Sequence, residues 1–307
     1  MNAVLEIKNI NKKYGEFTAL NNVTLTVPKG SVYGLLGPNG AGKTSLIRII
    51  NQITLPDSGE VWLDGEKLNP NHISHIGYMP EERGLYKTMK VGEQCLYLAQ
   101  LKGMSLPDAK KQLKYWFQKF EIEAWWNKKI QELSKGMAQK IQFVVTVLHN
   151  PKLLILDEPF SGFDPVNANL IKDEILELNK KGTSIIFSTH RMESVEEMCN
   201  HIALIHQSNK VLEGNLLDIK KQYRNNTFTI GILTNNVEGL MYNLTQKFTV
   251  QPTSFKSLDN ELQLQVNTAN YSSNDLIDVL RNFGIITHFT EKIPTVNEIF
   301  IKAVSNS

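Results

Sequence analysis

The stretch "GPNGAGKT", Gly37 to Thr44, decides the fold of this 307-residue chain. It matches the pattern G-x-x-x-x-G-K-[ST] and lies between an apolar strand candidate, "SVYGLLG", and a helical pattern from Lys43 to Asn51. This order predicts a phosphate-binding loop, because its glycines let backbone N–H groups surround phosphate oxygens at a helix N-terminus. We expect Lys43 to reach the β- and γ-phosphates of a nucleotide and Thr44 to offer its hydroxyl to Mg²⁺.

A second motif, "LLILDEP", Leu153 to Pro159, has the pattern of a buried parallel strand that ends in two carboxylates. Asp157 suits the shell of Mg²⁺, through water, and Glu158 suits a group that polarises the attacking water. Nucleoside kinases and small GTPases have different residues at this point. The acidic pair followed by proline therefore narrows the class of P-loop protein.

Around these motifs, short apolar strands alternate with longer helical patterns from Val4 to Gly214, which predicts a mostly parallel sheet with helices packed on it. The N-terminal stretches "LEIKNI", "NVTLTV" and "GEVWLDG" predict an antiparallel β layer beside that sheet. A helical subdomain is expected at about 91–148. A polar stretch, 220–227, marks the boundary between residues 1–219 and a small α+β domain at 220–307. In this small domain we identify no motif for catalysis or ligand binding.

Composition excludes several classes of function. The formal charge of +2 gives no strong attraction to nucleic acid or anionic lipid. Two cysteines, Cys95 and Cys199, without metal-binding spacing favour a reducing compartment and roles as small core residues. No stretch approaches the length of a spanning helix, so we expect the chain neither to enter nor to cross a membrane by itself.

In the order of its motifs from Ala3 to Gly214, the sequence resembles the ATP-binding subunits of ABC transporters. The resemblance implies an α/β fold: a P-loop NTPase of ABC type with an inserted helical subdomain. It assigns Tyr14, in "NKKYGEFTAL", to stacking on adenine, and Asp164, in "SGFD", to a dimer-contact loop. It assigns His190, in "SIIFSTHRME", to contact with the γ-phosphate, so that Lys43, Glu158 and His190 form the expected catalytic set.

One departure from the family lies in "IGYMPEERGLY", where the family has a glutamine that reaches Mg²⁺ and the attacking water. Glu81 or Glu82 takes that position, and we favour Glu81. A glutamate oxygen can still ligate Mg²⁺, so the expected metal set is Thr44, Asp157 and Glu81. The alternative is that both acids are solvated loop residues.

A second departure is "LSKGMAQK", Leu133 to Lys140, where the family has Leu-Ser-Gly-Gly-Gln. Ser134 is a natural N-cap for a helix whose apolar face runs from Ala138 to Leu148. The resemblance implies that Ser134 and Gly136 grip the γ-phosphate bound in an opposite subunit. The retained hydroxyl, helix dipole and Gly136 N–H indicate a working variant. The full set of residues expected to contact nucleotide is Tyr14, Gly37, Pro38, Asn39, Gly40, Ala41, Gly42, Lys43, Thr44, Ser45, Ser134 and Gly136.

In "YWFQKFEIEAWW", Trp116 and Phe120 are expected to be core, whereas the loop 82–90 and the Trp125/Trp126 pair are better candidates for partner contact. The resemblance implies an ATPase that binds ATP and Mg²⁺, forms a homodimer on ATP binding and drives a separate transmembrane permease. "LSKGM" with "PEERGLY" and a C-terminal domain is similar to efflux-type ATPases for sodium, drugs or peptides. No nucleic acid partner is expected, and membrane contact is expected only through the permease, on the cytoplasmic face. The alternatives are a soluble non-transport ABC-type ATPase and a nucleotide-dependent regulatory module.

Overall fold

The computed structural model describes residues 2–82, 84–161, 163–257 and 261–305. Its strands fall into three separate sheets. In chain order the strands are β1 (Ala3–Tyr14), β2 (Phe17–Pro28), β3 (Val32–Leu36), β4 (Ser58–Leu63), β5 (Glu66–Lys67), β6 (Ile76–Met79), β7 (Leu153–Asp157), β8 (Ser184–Ser188), β9 (His201–His206), β10 (Asn209–Asn215), β11 (Thr227–Leu233), β12 (Thr249–Pro252), β13 (Leu262–Asn267) and β14 (Ile285–Glu291).

The helices connect or cover these strands. In chain order they are α1 (Lys43–Ile50), α2 (Val91–Leu101), α3 (Leu106–Phe120), α4 (Lys135–Val147), α5 (Pro165–Lys180), α6 (Met192–Met198), α7 (Leu216–Gln222), α8 (Val237–Lys247), α9 (Ser273–Arg281) and α10 (Val296–Ser305). Short 3-10 turns occur at Pro70–His75, Glu123–Trp125 and Ile130–Glu132. None of the helices in the described ranges combines the length and apolar character needed to cross a bilayer.

The central sheet has the strand order β10-β9-β3-β8-β7-β6. All its neighbours are parallel except β10, which pairs antiparallel with β9. Every residue of β3, β7 and β8 is buried, because helices and the second sheet cover both faces. The carboxyl ends of β3, β8, β7 and β6 therefore lie side by side along one edge.

The second sheet, β2-β1-β4-β5, is antiparallel and packs on the central sheet. Its inward side chains, among them Leu5, Ile7 and Val23, share one core with Leu46 and Ile50 of α1 and with Ile155 of β7. The predicted fold class, a parallel sheet with an antiparallel β layer, is confirmed.

The helical subdomain consists of α2, α3 and α4. Trp116 and Phe120 of α3 are buried, as predicted, and stack with ring centroids 5.7 Å apart. Both rings also contact Phe143 of α4 edge-on. Trp126 packs edge-on against Phe117, so part of the tryptophan pair belongs to the subdomain interior.

The C-terminal part of the chain contains its own antiparallel sheet, β12-β13-β11-β14, whose core forms between β11 and β13 and the helices α8 and α9. A capping box begins α10: Thr295 N donates to Glu298 Oε2, and Glu298 N donates to Thr295 Oγ1. By compactness, residues up to Leu217 together with those from Phe300 form one unit, and Asp218–Ile299 form another.

A half-buried histidine, His149, makes the N-terminal unit sensitive to acid. The Ile76 carbonyl oxygen lies 3.2 Å from His149 Nε2 and accepts a hydrogen bond from Lys102 Nζ. Burial, and then the Lys102 charge, lower the pKa of His149 to about 4. The unfolded chain therefore binds a proton at this position at higher pH than the folded chain does.

We expect the unfolding free energy of this unit to fall by about 3 kcal/mol from His149 as pH drops through about 6.5 towards about 4. His149→Gln, which stays neutral, should lose that component of the slope. All four tryptophans lie in this unit, so urea unfolding followed by tryptophan fluorescence measures it selectively. Equal pH slopes in both proteins would contradict the assignment.

Candidate nucleotide-binding site

The phosphate-binding loop joins β3 to α1 and fits its surroundings without room for side chains at two glycines. A Cβ at Gly37 (φ +148°) would lie 2.1 Å from the Ile205 carbonyl oxygen, and one at Gly42 (φ +113°) would lie 2.3 Å from that of Ala19. Both backbone conformations also disfavour L side chains. Glycine at these two positions thus lets the loop lie against β2 on one side and β9 on the other.

Ser208, in the turn between β9 and β10, ties this loop to both neighbours. Its N–H donates to Ala41 O, and its hydroxyl donates to Thr18 O at 2.6 Å. Its carbonyl accepts from Asn21 N. Ser208 is buried. It belongs to none of the motifs described above, so only the folded structure shows that it lies beside the loop.

Lys43, the first residue of α1, is buried and points back over the loop. Its ammonium donates to Gly37 O at 2.8 Å and to Pro38 O at 3.1 Å. Burial lowers the pKa of Lys43, while the nearby carboxylates of Asp157, Glu158 and Glu81 oppose this shift. The loop thus holds one lysine charge in a partly desolvated position, where it interacts strongly with phosphate.

Asp157 is the last residue of β7 and is buried beside Lys43. Burial raises the pKa of Asp157; Glu81 and Glu158 act in the same direction, and Lys43 acts against them. A cation near these carboxylates would therefore be stabilised by all three.

Glu158 follows directly and has a left-handed backbone (φ +48°), which is unusual for a residue with a side chain. Its N–H donates to Ser188 O at 2.9 Å, and its carboxylate is held by the residues after β8. Thr189 Oγ1 and the His190 N–H donate to it, and His190 Nδ1 lies 2.6 Å from Glu158 Oε1. The structure thus brings Glu158 and His190 into direct contact, and Thr189 is a partner that the sequence did not indicate.

These residues open onto one cavity of about 340 Å³, a usual size for a small-ligand site. Its lining consists of Phe17, Asn39, Gly40, Gly42, Lys43, Thr44, Ser45, Glu81, Asp157, Glu158 and His190. Phe17 begins β2 of the antiparallel sheet. The other lining residues lie at or just after the carboxyl ends of the neighbouring parallel strands β3, β6, β7 and β8, which meet at this edge.

Tyr14 does not line the cavity, but it lies at the end of β1, paired across the hairpin with Phe17 of β2. Both rings are exposed, and Lys12 Nζ lies 5.4 Å from the centre of the Tyr14 ring. Phe17 is an aromatic residue at this site that sequence reasoning missed. The sequence signal that could have found Phe17 is its position three residues after Tyr14, across the turn at Gly15.

Ser134, Gly136 and Asp164 lie outside this cavity. Ser134 is the N-cap of α4, as predicted, and its hydroxyl accepts from Met137 N at 3.3 Å. Asp164 caps α5 and accepts from Val166 N and Asn167 N. These hydrogen bonds lower the pKa of Asp164, first through Asn167.

The residues present fit Mg²⁺. Thr44, Asp157 and Glu81 offer only oxygen donors, which Mg²⁺ prefers. Within the described residues, no group of three or more His, Cys, Asp or Glu side chains forms a ready-made cage. This suits an ion that usually takes one or two carboxylates together with phosphate oxygens and water.

Comparison with known proteins decides the family. Residues 20–161 match the ABC transporter family, and residues 214–304 match the C-terminal domain of DrrA1-3-like ATP-binding proteins. The chain is 39% identical to the uncharacterized ABC transporter ATP-binding protein YhaQ of Bacillus subtilis over 301 residues, which is 98% of each sequence. The chain belongs to the ABC transporter family, as an ATP-binding subunit.

Two further similarities agree with this ABC ATPase assignment. The subunit is 32% identical over 217 residues to the Nod factor export ATP-binding protein I of Cupriavidus metallidurans, covering 70% of this chain and 72% of that protein. A solved ATP-binding subunit of an ABC transporter superposes with a TM-score of 0.68 at 30% identity, covering 72% of this chain and 93% of that one.

The packing of the phosphate loop gives a direct test. We expect Gly42→Ala to lower the unfolding free energy of the N-terminal unit by about 3 kcal/mol, because its Cβ meets a backbone carbonyl and its φ is unfavourable. Gly40→Ala is the matched control: its φ is also positive (+80°), but a Cβ there meets nothing within 4 Å. It should cost about 1 kcal/mol. Tryptophan-detected urea unfolding compares the two, and equal losses would show that the collision is relieved at no cost.

Proposed function

We propose that two copies of this ATP-binding subunit associate head to tail around ATP and energise export through a separate transmembrane permease. The observation that supports this proposal is that a single chain does not bring all of its motif residues to one site. Lys43, Glu158 and His190 share one cavity, whereas Ser134 and Gly136 lie outside it. A second copy that presents the start of its α4 to this cavity would complete the site.

In this proposal each residue has a defined part. Lys43 binds the β- and γ-phosphates, and Glu158 orients and polarises the attacking water. His190, which contacts Glu158, lies where it can report the γ-phosphate. Thr44, Asp157 and Glu81 would hold Mg²⁺, which when bound neutralises charge that develops on the transferred phosphate. Tyr14, with Phe17 beside it, offers aromatic surface for the adenine.

"LSKGMAQK" acts in this scheme as a working variant of the family signature. Its serine caps α4, and its first turn contains no acidic residue that would repel phosphate. The backbone N–H groups at the start of a 13-residue helix favour an anion through the helix dipole. The Gly136 N–H belongs to this set, so the two substitutions, Lys135 and Met137, leave the binding groups in position.

The permease is proposed to dock in an apolar groove between α2, α4 and the loop after β6. The groove is lined by Tyr78, Pro80, Gly84, Leu85, Leu98, Leu101, Lys102, Gln142, Val145 and Thr146. Leu101 is 65% exposed, and within the described residues the buried Gln142 Oε1 has no hydrogen-bond donor. An apolar segment that carries one donor would cover both features, and the groove lies close to Glu81 of the cavity.

The export direction is supported by the similarity to a protein named for Nod factor export. We propose that residues 1–219 form the ATPase domain and 220–307 an accessory domain. Docking on a permease would hold the subunit at the cytoplasmic face of the membrane.

We call the ATP site that is completed by the start of α4 of the second copy the site in trans. It predicts that a change at Ser134 abolishes activity. Ser134→Arg should abolish ATP hydrolysis in the assembled complex, because a long cation replaces the small capping hydroxyl at the start of α4. Lys135→Gly should keep most of the activity, since the permease holds the two copies at high effective concentration. Phosphate release from the purified complex measures both, and full activity in Ser134→Arg would refute the site in trans.

The groove predicts a change in copurification. Leu101→Glu should reduce recovery of the co-expressed membrane partner at least about tenfold, because it buries a charge in the apolar contact. Leu55→Glu is the matched control: Leu55 is 76% exposed and lies outside the groove. Equal recovery with both variants would show that the permease docks elsewhere.

A further inference from the structure

The nucleotide cavity carries an unbalanced charge. Its lining includes one lysine, Lys43, against the three carboxylates of Glu81, Asp157 and Glu158. A triphosphate adds further negative charge at the same place, and one Mg²⁺ offsets only part of it. Because the site is partly desolvated, like charges repel more strongly there than in water. Another cation close to the carboxylates would therefore stabilise the ATP-bound state.

The three carboxylates differ in the contacts that they already make within the chain. Asp157 is buried beside Lys43, and Glu158 is held by Thr189 and His190. Glu81 is exposed at the rim of the cavity. It is therefore the carboxylate most accessible to a cation from outside the chain.

Lys135 is a candidate for this cation, because its charge is not paired within the described part of its own chain. It is the first residue of α4, directly after the Ser134 cap, and it is exposed. In the described ranges its ammonium has no hydrogen-bond or ion-pair partner, and it does not line the cavity of its own chain. A lysine at a helix N-terminus opposes the helix dipole, so local helix stability does not account for it.

We propose that Lys135 of a second copy supplies the missing positive charge and pairs across the ATP-bound dimer with Glu81, in addition to the Mg²⁺ that this carboxylate would help to hold. The inference rests on the head-to-tail dimer proposed above, in which the residue after Ser134 approaches the opposite cavity. Glu81 and Lys135 are also departures from the family pattern in opposite senses, one adding a negative and the other a positive charge. The pair makes these two departures a single compensated change, and the symmetric dimer contains it twice.

A double-mutant cycle on ATP-dependent dimerisation tests the pair. The parent protein carries Glu158→Gln to slow hydrolysis, and sedimentation velocity with Mg-ATP gives the dimer dissociation constant of each variant. Lys135→Gln should raise that constant about tenfold in the parent and less than about threefold when Glu81→Gln is also present. High salt should shrink the difference between these two effects.

The chain offers matched controls for both positions. Glu82 is the exposed neighbour of Glu81 and does not line the cavity, so Glu82→Gln should leave the Lys135→Gln effect at about tenfold. Lys140→Gln removes a charge later in the same helix and should change the constant less than about threefold. An equal effect of Lys135→Gln with and without Glu81→Gln would overturn the pair alone. Absence of any ATP-dependent dimer would overturn the head-to-tail dimer and the pair with it.

Discussion

The contact of the phosphate-binding loop with strands on both sides is the constraint on which the rest of the site depends. Gly42 lies against the Ala19 carbonyl of the antiparallel layer, and Gly37 lies against the Ile205 carbonyl of the central sheet. Neither contact leaves space for a Cβ. Because Ser208 binds both Ala41 and Thr18, the loop, the layer and the sheet edge are held as one piece. Because the loop is packed between these two strands, its position sets the direction in which Lys43 and the start of α1 point.

The central sheet then determines what faces the loop. Its order puts β8 and β7 beside β3, so that His190, Asp157 and Glu158 converge on Lys43 although long stretches of sequence separate them. Glu158 accepts a strained backbone there, and its hydrogen bonds to Ser188, Thr189 and His190 compensate for the strain. Negative charge is concentrated at this edge of the sheet, and in the proposed dimer a lysine of the second copy would offset part of it.

Much of this architecture could be predicted because each element carries a local signal. The alternation of apolar strands with helical patterns indicated the parallel sheet, and Ser134 caps α4 as expected. Thr189 and Ser208 had no such signal. Their importance comes from contacts with residues distant in sequence, and a single hydroxyl side chain has many equally ordinary surroundings. The strand β12 also lacks a clear local signal, because four residues ending in proline are a weak pattern.

Short stretches of sequence were enough to identify the chemistry: a phosphate loop, an acidic pair after a buried strand, a capped helix in the signature position and a chain that resembles ABC ATPases. These are local properties, in which backbone conformation and residue type within a few positions are sufficient. Only the tertiary structure decided which groups meet. It joined Glu158 to His190, distinguished Glu81 from Glu82 at the cavity, and left Ser134 and Lys135 outside it. Such contacts depend on strand order and on the packing of the sheets, which link positions that the linear sequence keeps far apart.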